Sequence, residues 1–124
     1  MRGAEEQDPL VLLGAYPRTL AICRRVEQVI ATIGADVSVN VTKSQVAFRN
    51  RRAFAWVWRP GQYVNNPVPA VLSIALAREL DSDRIKSVVH PSPKVWMHHI
   101  ELDDAGLVDD ELRDWLGEAY ANAR

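Results

Sequence analysis

Residues 37–58 read VSVNVTKSQVAFRNRRAFAWVW, and apolar side chains fall at every second position through most of that stretch. Val37, Val39 and Val41 alternate with Ser38, Asn40 and Thr42, the pattern of a strand with one buried face. After a break at Lys43-Ser44 the alternation resumes with Val46 and Phe48. Phe54, Trp56 and Trp58 then alternate with Ala55 and Val57, which places three aromatic rings on one strand face. Asn50-Arg51-Arg52 separates the two runs, a tight polar turn that predicts a hairpin.

Toward the N-terminus the period changes. Leu20, Cys23, Val26, Ile30 and Ile33 recur at three- and four-residue steps, one face of a helix that Pro17 can open and Gly34 can stop. Residues 1–9 are polar and are expected to fray, so the chain divides into a flexible tail over 1–12 and a single domain over 13–124.

Toward the C-terminus, Pro60 to Pro69 is dense in chain-breaking residues and predicts a loop, long for a hairpin connection and so a place to look for function. Val71 to Leu80 reads as a central strand, with Leu72, Ile74 and Leu76 opposing Ser73, Ala75 and Ala77, although the alanines leave a helix as the alternative. Residues 84–90 alternate well enough for another strand, with a short helix capped by Ser82 as the alternative, Pro91-Ser92-Pro93 predicts a turn, and Val95 to Leu102 a last strand. Leu112, Trp115, Leu116, Ala119 and Tyr120 form an amphipathic helix with Asp109, Asp110 and Glu111 crowding its first turn. The expected fold is α+β: an antiparallel sheet of five or six strands with an N-terminal and a C-terminal helix packed on one face, the other face open.

At 124 residues the chain can bury a core without disulfide or metal. Cys23, its single cysteine, excludes an intrachain disulfide and points to a reducing compartment. Leu10 to Leu13 is too short for a signal or membrane segment, so a cytoplasmic location is expected. Net charge is only −1, yet the first half is basic and the end acidic.

A set of residues in fixed order carries a family resemblance. Leu13-Gly14 and Pro17 precede the first helix, Thr42-Lys43-Ser44-Gln45-Val46-Ala47-Phe48 follows the first strand, and Phe54-Ala55 follows the arginine turn. His98-His99-Ile100-Glu101-Leu102 leads to Asp110-Glu111-Leu112, Trp115-Leu116 and Glu118-Ala119-Tyr120. Over about residues 13 to 122 the chain resembles the uncharacterised prokaryotic family called domain of unknown function 5655 (DUF5655). The resemblance implies an α+β domain of bacterial type and no established activity. Relatives that append a similar domain to nuclease-like modules turn attention toward nucleic acid.

The residues themselves point to binding before catalysis. Lys43, Arg49, Arg51, Arg52 and Arg59 interleave with Phe48, Phe54, Trp56 and Trp58, and cationic grooves with aromatic platforms bind single strands. Candidate ligand-binding residues are Lys43, Arg49, Arg52, Trp58 and Arg59, with Trp96 and His98 at the rim. The expected partner is anionic, with single-stranded nucleic acid as one form. Alternatives are a small-molecule site or minor enzyme under the 59–69 loop, and a structural interaction protein, homodimeric or otherwise. His90, His99 and Glu101 fall short of a convincing zinc ligand set. Neither Ser44 beside Lys43 nor Cys23 on a helix's apolar face forms a catalytic motif. No metal, cofactor, catalytic residue or membrane partner is expected.

Overall fold

The computed structural model describes residues 8–124. Six antiparallel strands form one sheet in the order β1-β2-β3-β4-β6-β5. They are β1 (Ser38–Val41), β2 (Val46–Arg49), β3 (Ala53–Trp58), β4 (Ala70–Leu76), β5 (Ser87–Ser92) and β6 (Val95–Leu102). Three helices accompany them: α1 (Leu10–Leu13), α2 (Pro17–Ala31) and α3 (Asp110–Asn122). Val46, Phe48, Leu72, Ile74 and Ile100 of the sheet share one core with Ile22, Val26 and Ile30 of α2 and Leu112 and Leu116 of α3. The α+β architecture read from the sequence is the one observed.

Residues 1–7, most of the stretch expected to fray, lie outside the described residues. Residues 8–12, assigned by sequence to the tail, are tied to the domain. Asp8 pairs with Arg24 at 2.7 Å, and α1 leads into a buried Leu13.

Register shows where the aromatic stripe divides. Phe48 faces Ala55 and Arg49 faces Ala53, so Phe54 is an extra residue in β3, a β-bulge. The bulge turns Phe54 into the core, where it meets Tyr120 of α3 edge-on at 5.8 Å. Strict alternation had put Phe54 beside Trp56 and Trp58. Instead the two tryptophans keep the open face, in register with Ser73 and Val71 of β4.

The arginine turn between β2 and β3 is a cap for α3. The last carbonyls of a helix have no partner inside it. Here the backbone N–H groups of Arg51 and Arg52 both donate to Ala123 O at 3.0 Å, and Asn50 Nδ2 donates to Tyr120 O at 3.1 Å. At the other end of α3, Asp109 accepts from Leu112 N, and Arg84 reaches both Asp109 and Glu111. The chain turns at Asp83–Arg84, and β5 begins only at Ser87, short of the strand expected over 84–90 at its start. The strand runs through Pro91 to Ser92, into the expected turn, which falls at Pro93–Lys94 instead; β5 is a sheet edge, where a missing N–H is tolerated.

Candidate functional site

One row of side chains crosses the open face. Ala47, Trp56, Ser73, His99 and Ser87 stand in register on β2, β3, β4, β6 and β5. Trp58 lies two residues beyond Trp56, and its indole Nε1 donates to Ser73 Oγ at 2.9 Å. Ser73 Oγ is in turn 2.7 Å from His99 Nδ1.

Elementary bonding assigns the protons in this chain. An indole N–H can only donate. Ser73 accepts from Trp58, and the acceptor that its own hydrogen meets among the described residues is His99 Nδ1, so the tautomer that satisfies the hydroxyl is the one with the imidazole proton on Nε2. That nitrogen has no protein partner among the described residues, and the His99 side chain lines the open hollow. Burial holds the His99 pKa below its usual 6.5, with a smaller contribution from neighbouring His98, so the uncharged ring is favoured. The arrangement thus presents an uncharged N–H donor to the open face.

A depression of about 480 Å³ surrounds this chain, walled by Trp56, Trp58, Tyr63 and Met97 with Gln45 at its edge. Tyr63 comes from the 59–69 loop, and local bonds explain its position. Thr42 closes the β1–β2 turn by accepting from Ser44 N and Gln45 N. Gln62, in a 3₁₀ turn over Pro60–Gln62, donates to Ser44 O at 2.7 Å. The loop is thereby clamped across the sheet end, with Tyr63 5.9 Å from Trp58, edge to ring. His99 meets the same indole edge-on at 6.1 Å, so Trp58 is held by a hydrogen bond and two rings. Tyr63 itself remains 62% exposed and available for contact.

The structure disperses the other residues singled out by sequence. Lys43 and Arg59 line a neighbouring hollow with Tyr16, and the Arg59 guanidinium sits 3.8 Å from that ring's centre. Arg49 ends β2 and donates to Arg51 O, while the Arg52 guanidinium donates to Asn122 O at the end of α3. Trp96 lies outside the cleft, stacked on His90 at 3.5 Å.

His98 also departs from the expected rim position. It is completely buried, accepting from Leu80 N at 2.9 Å through Nε2, with Nδ1 directed at Ile74 O. Its register partner Ile74 faces the core, so alternation along β6 sends His98 inward and His99 outward. His99 and Glu101 share the open face, but His90 is engaged with Trp96. Among the described residues no three His, Cys, Asp or Glu side chains are grouped to hold a metal ion.

Sequence reading passed over Ser73, Gln45, Tyr63 and Met97 as site residues and considered His99 only for metal. Ser73 did carry a signal: a lone hydroxyl in the most apolar strand, in phase with the open face.

An α+β domain with an aromatic cleft on its uncovered sheet face is the class that these features define. The chain belongs to the family described as "Domain of unknown function (DUF5655)", which matches residues 11–123 of it. No curated protein and no solved structure matches the chain. No helix among the described residues is long and apolar enough to cross a membrane.

Proposed function

We propose that this domain is a binding module whose open sheet face receives a planar ligand. The observation that supports this most is the Trp58–Ser73–His99 chain, which fixes an indole and an outward N–H donor in one cleft. Pre-set side chains lose little freedom when a ligand arrives, and apolar walls with a few placed polar groups are usual in small-molecule sites.

The Ser73–His99 pair also invites comparison with a nucleophile and its base. Ser73 is 97% buried, since only 3% of its surface is exposed, and its oxygen already accepts the indole proton. That placement favours a positioning role in binding over attack on a substrate.

A second reading, an anionic partner such as single-stranded nucleic acid, draws on Lys43 and Arg59. They line one hollow beside the cleft, with no carboxylate on its walls.

Titration of tryptophan fluorescence with uncharged nucleosides and other aromatic heterocycles tests the first reading. Saturable quenching that weakens in Tyr63→Ala and Trp56→Ala is expected. A folded protein that saturates with none of these ring compounds would refute it.

A further inference from the structure

The aromatic cleft does not end at Trp56. Trp56 and Met97 also line a second hollow, of about 410 Å³, where β4 stops between the starts of β3 and β6. The two depressions therefore adjoin at Trp56 and Met97, the second reaching past the end of β4 to Ala119, Asn122 and Ala123 of α3, and we treat the pair as one groove. Their ends differ in chemistry. The first carries rings, Ser73, Gln45 and the His99 N–H. The second has an apolar floor, and its two charged lining residues, Arg52 and Lys94, are both cationic. The nearest acidic group in sequence to that hollow, Glu118, is held by Arg78 through two bonds of 2.9 Å. Arg52 spends part of its guanidinium on Asn122 O, whereas Lys94 has no ion-pair partner among the described residues.

We infer that the groove takes a ligand made of a planar ring and an anionic group in one molecule, namely a nucleobase carrying a phosphate. This rests on the planar-ligand reading and names its ligand class. The ring lies in the Trp58–His99 cleft, where a ring nitrogen or carbonyl accepts from His99 Nε2. The phosphate lies at Lys94, with the remaining Arg52 N–H groups in support. Lys94 stands in the turn that leads into β6, five positions before His99 and about 17 Å away along extended chain, and a lysine side chain laid along the groove would bring its charge toward the span of an extended nucleotide. A base with its phosphate occurs both in free mononucleotides and in single strands, so the chemistry is shared by the two sources.

The test compares the four common nucleosides, their 5′-monophosphates and inorganic phosphate by calorimetry on the full chain. At least one monophosphate should bind about tenfold or more tightly than its nucleoside, the advantage of a charge-assisted contact. Lys94→Ala, at an exposed turn, should erase that advantage while leaving the nucleoside's affinity unchanged. Tyr63→Ala should weaken nucleoside and monophosphate alike. Equal binding of nucleoside and monophosphate, or an advantage that survives Lys94→Ala, overturns the inference and leaves the ring-binding cleft standing. Failure of every nucleoside and monophosphate overturns the inference, and the cleft falls with it only if other aromatic heterocycles fail too. Phosphate binding alone, indifferent to Tyr63→Ala, also overturns it. Given a monophosphate advantage, oligonucleotides that bind more tightly with length identify a single strand as the source, and oligonucleotides that do not identify the free nucleotide.

Discussion

Ser73 and His99 face each other across the β4–β6 pairing, and the serine oxygen stands 2.7 Å from the ring nitrogen. Each partner fixes the other, because the hydroxyl sets the imidazole tautomer and the ring gives the hydroxyl its acceptor. Ser73→Ala should leave the Trp58 N–H and His99 Nδ1 without partners. A loss of about 1–3 kcal/mol in urea unfolding is expected, the usual effect of stranding such groups. A shift in tryptophan emission should accompany it as Trp58 loses its bond.

Acid should weaken the fold through His99. Its folded pKa lies below 6.5, so the native state favours the uncharged ring and binds fewer protons than the unfolded chain. The stabilisation is present above 6.5 and is lost as pH falls through the lower folded value. Urea midpoints at pH 7.5 and pH 5 should therefore drop less in His99→Gln than in the native protein. An equal drop in both would count against this role.

His98 should matter more to stability than to binding. His98→Leu keeps an apolar side chain of similar bulk but leaves the part-buried Leu80 N–H without its acceptor and removes the 3.3 Å contact to Ile74 O. The unpaired N–H is expected to cost about 1–3 kcal/mol, read as a lowered denaturation midpoint with ring-ligand affinity retained in the folded fraction.

Two glycines should respond with opposite signs. A Cβ on Gly34 would lie 2.5 Å from Tyr120 Cζ. That ring cannot move away freely, since its hydroxyl donates to Asp36 at 2.7 Å and its edge packs on Phe54. Gly34→Ala should lose about 1–3 kcal/mol through overpacking. Gly117 lies inside α3 with open space at the same position. Gly117→Ala should gain up to about 1 kcal/mol from helix propensity. Thermal melts of the two variants check both signs.

Cys23 should resist modification. Burial pushes its thiol pKa up to about 12, with Glu27 adding to the effect, so almost no thiolate is present at pH 8. A disulfide reagent such as DTNB should label it only after unfolding. Rapid labelling of the native protein would contradict the packing of α2.

The sheet and its flanking helices were legible because burial on one face imposes a period on the chain. Val39, Val41, Val46 and Phe48 repeat at two, while Cys23, Val26 and Ile30 repeat at helical steps. The site was less legible because its residues meet only through pairing. Ser73 is 15 positions from Trp58 and 26 from His99, and no local pattern joins them. The surroundings of the arginines were hidden for a related reason. Arg52 is partly engaged by the α3 carbonyls, which become its neighbours only once the chain has folded. Strand alternation correctly sent His98 and His99 to opposite faces, but it did not say which face was covered.

The inserted residue at Phe54 has a consequence for how this domain can change. Without it, Phe54, Trp56 and Trp58 would share one fate, and any alteration of the groove aromatics would disturb the packing beneath α3. The half-step of phase separates them. A substitution at Trp56 or Trp58 alters the outer surface while the foundation laid by Phe54 and Tyr120 stays in place, so under the proposed binding role the ligand could change on an unaltered frame.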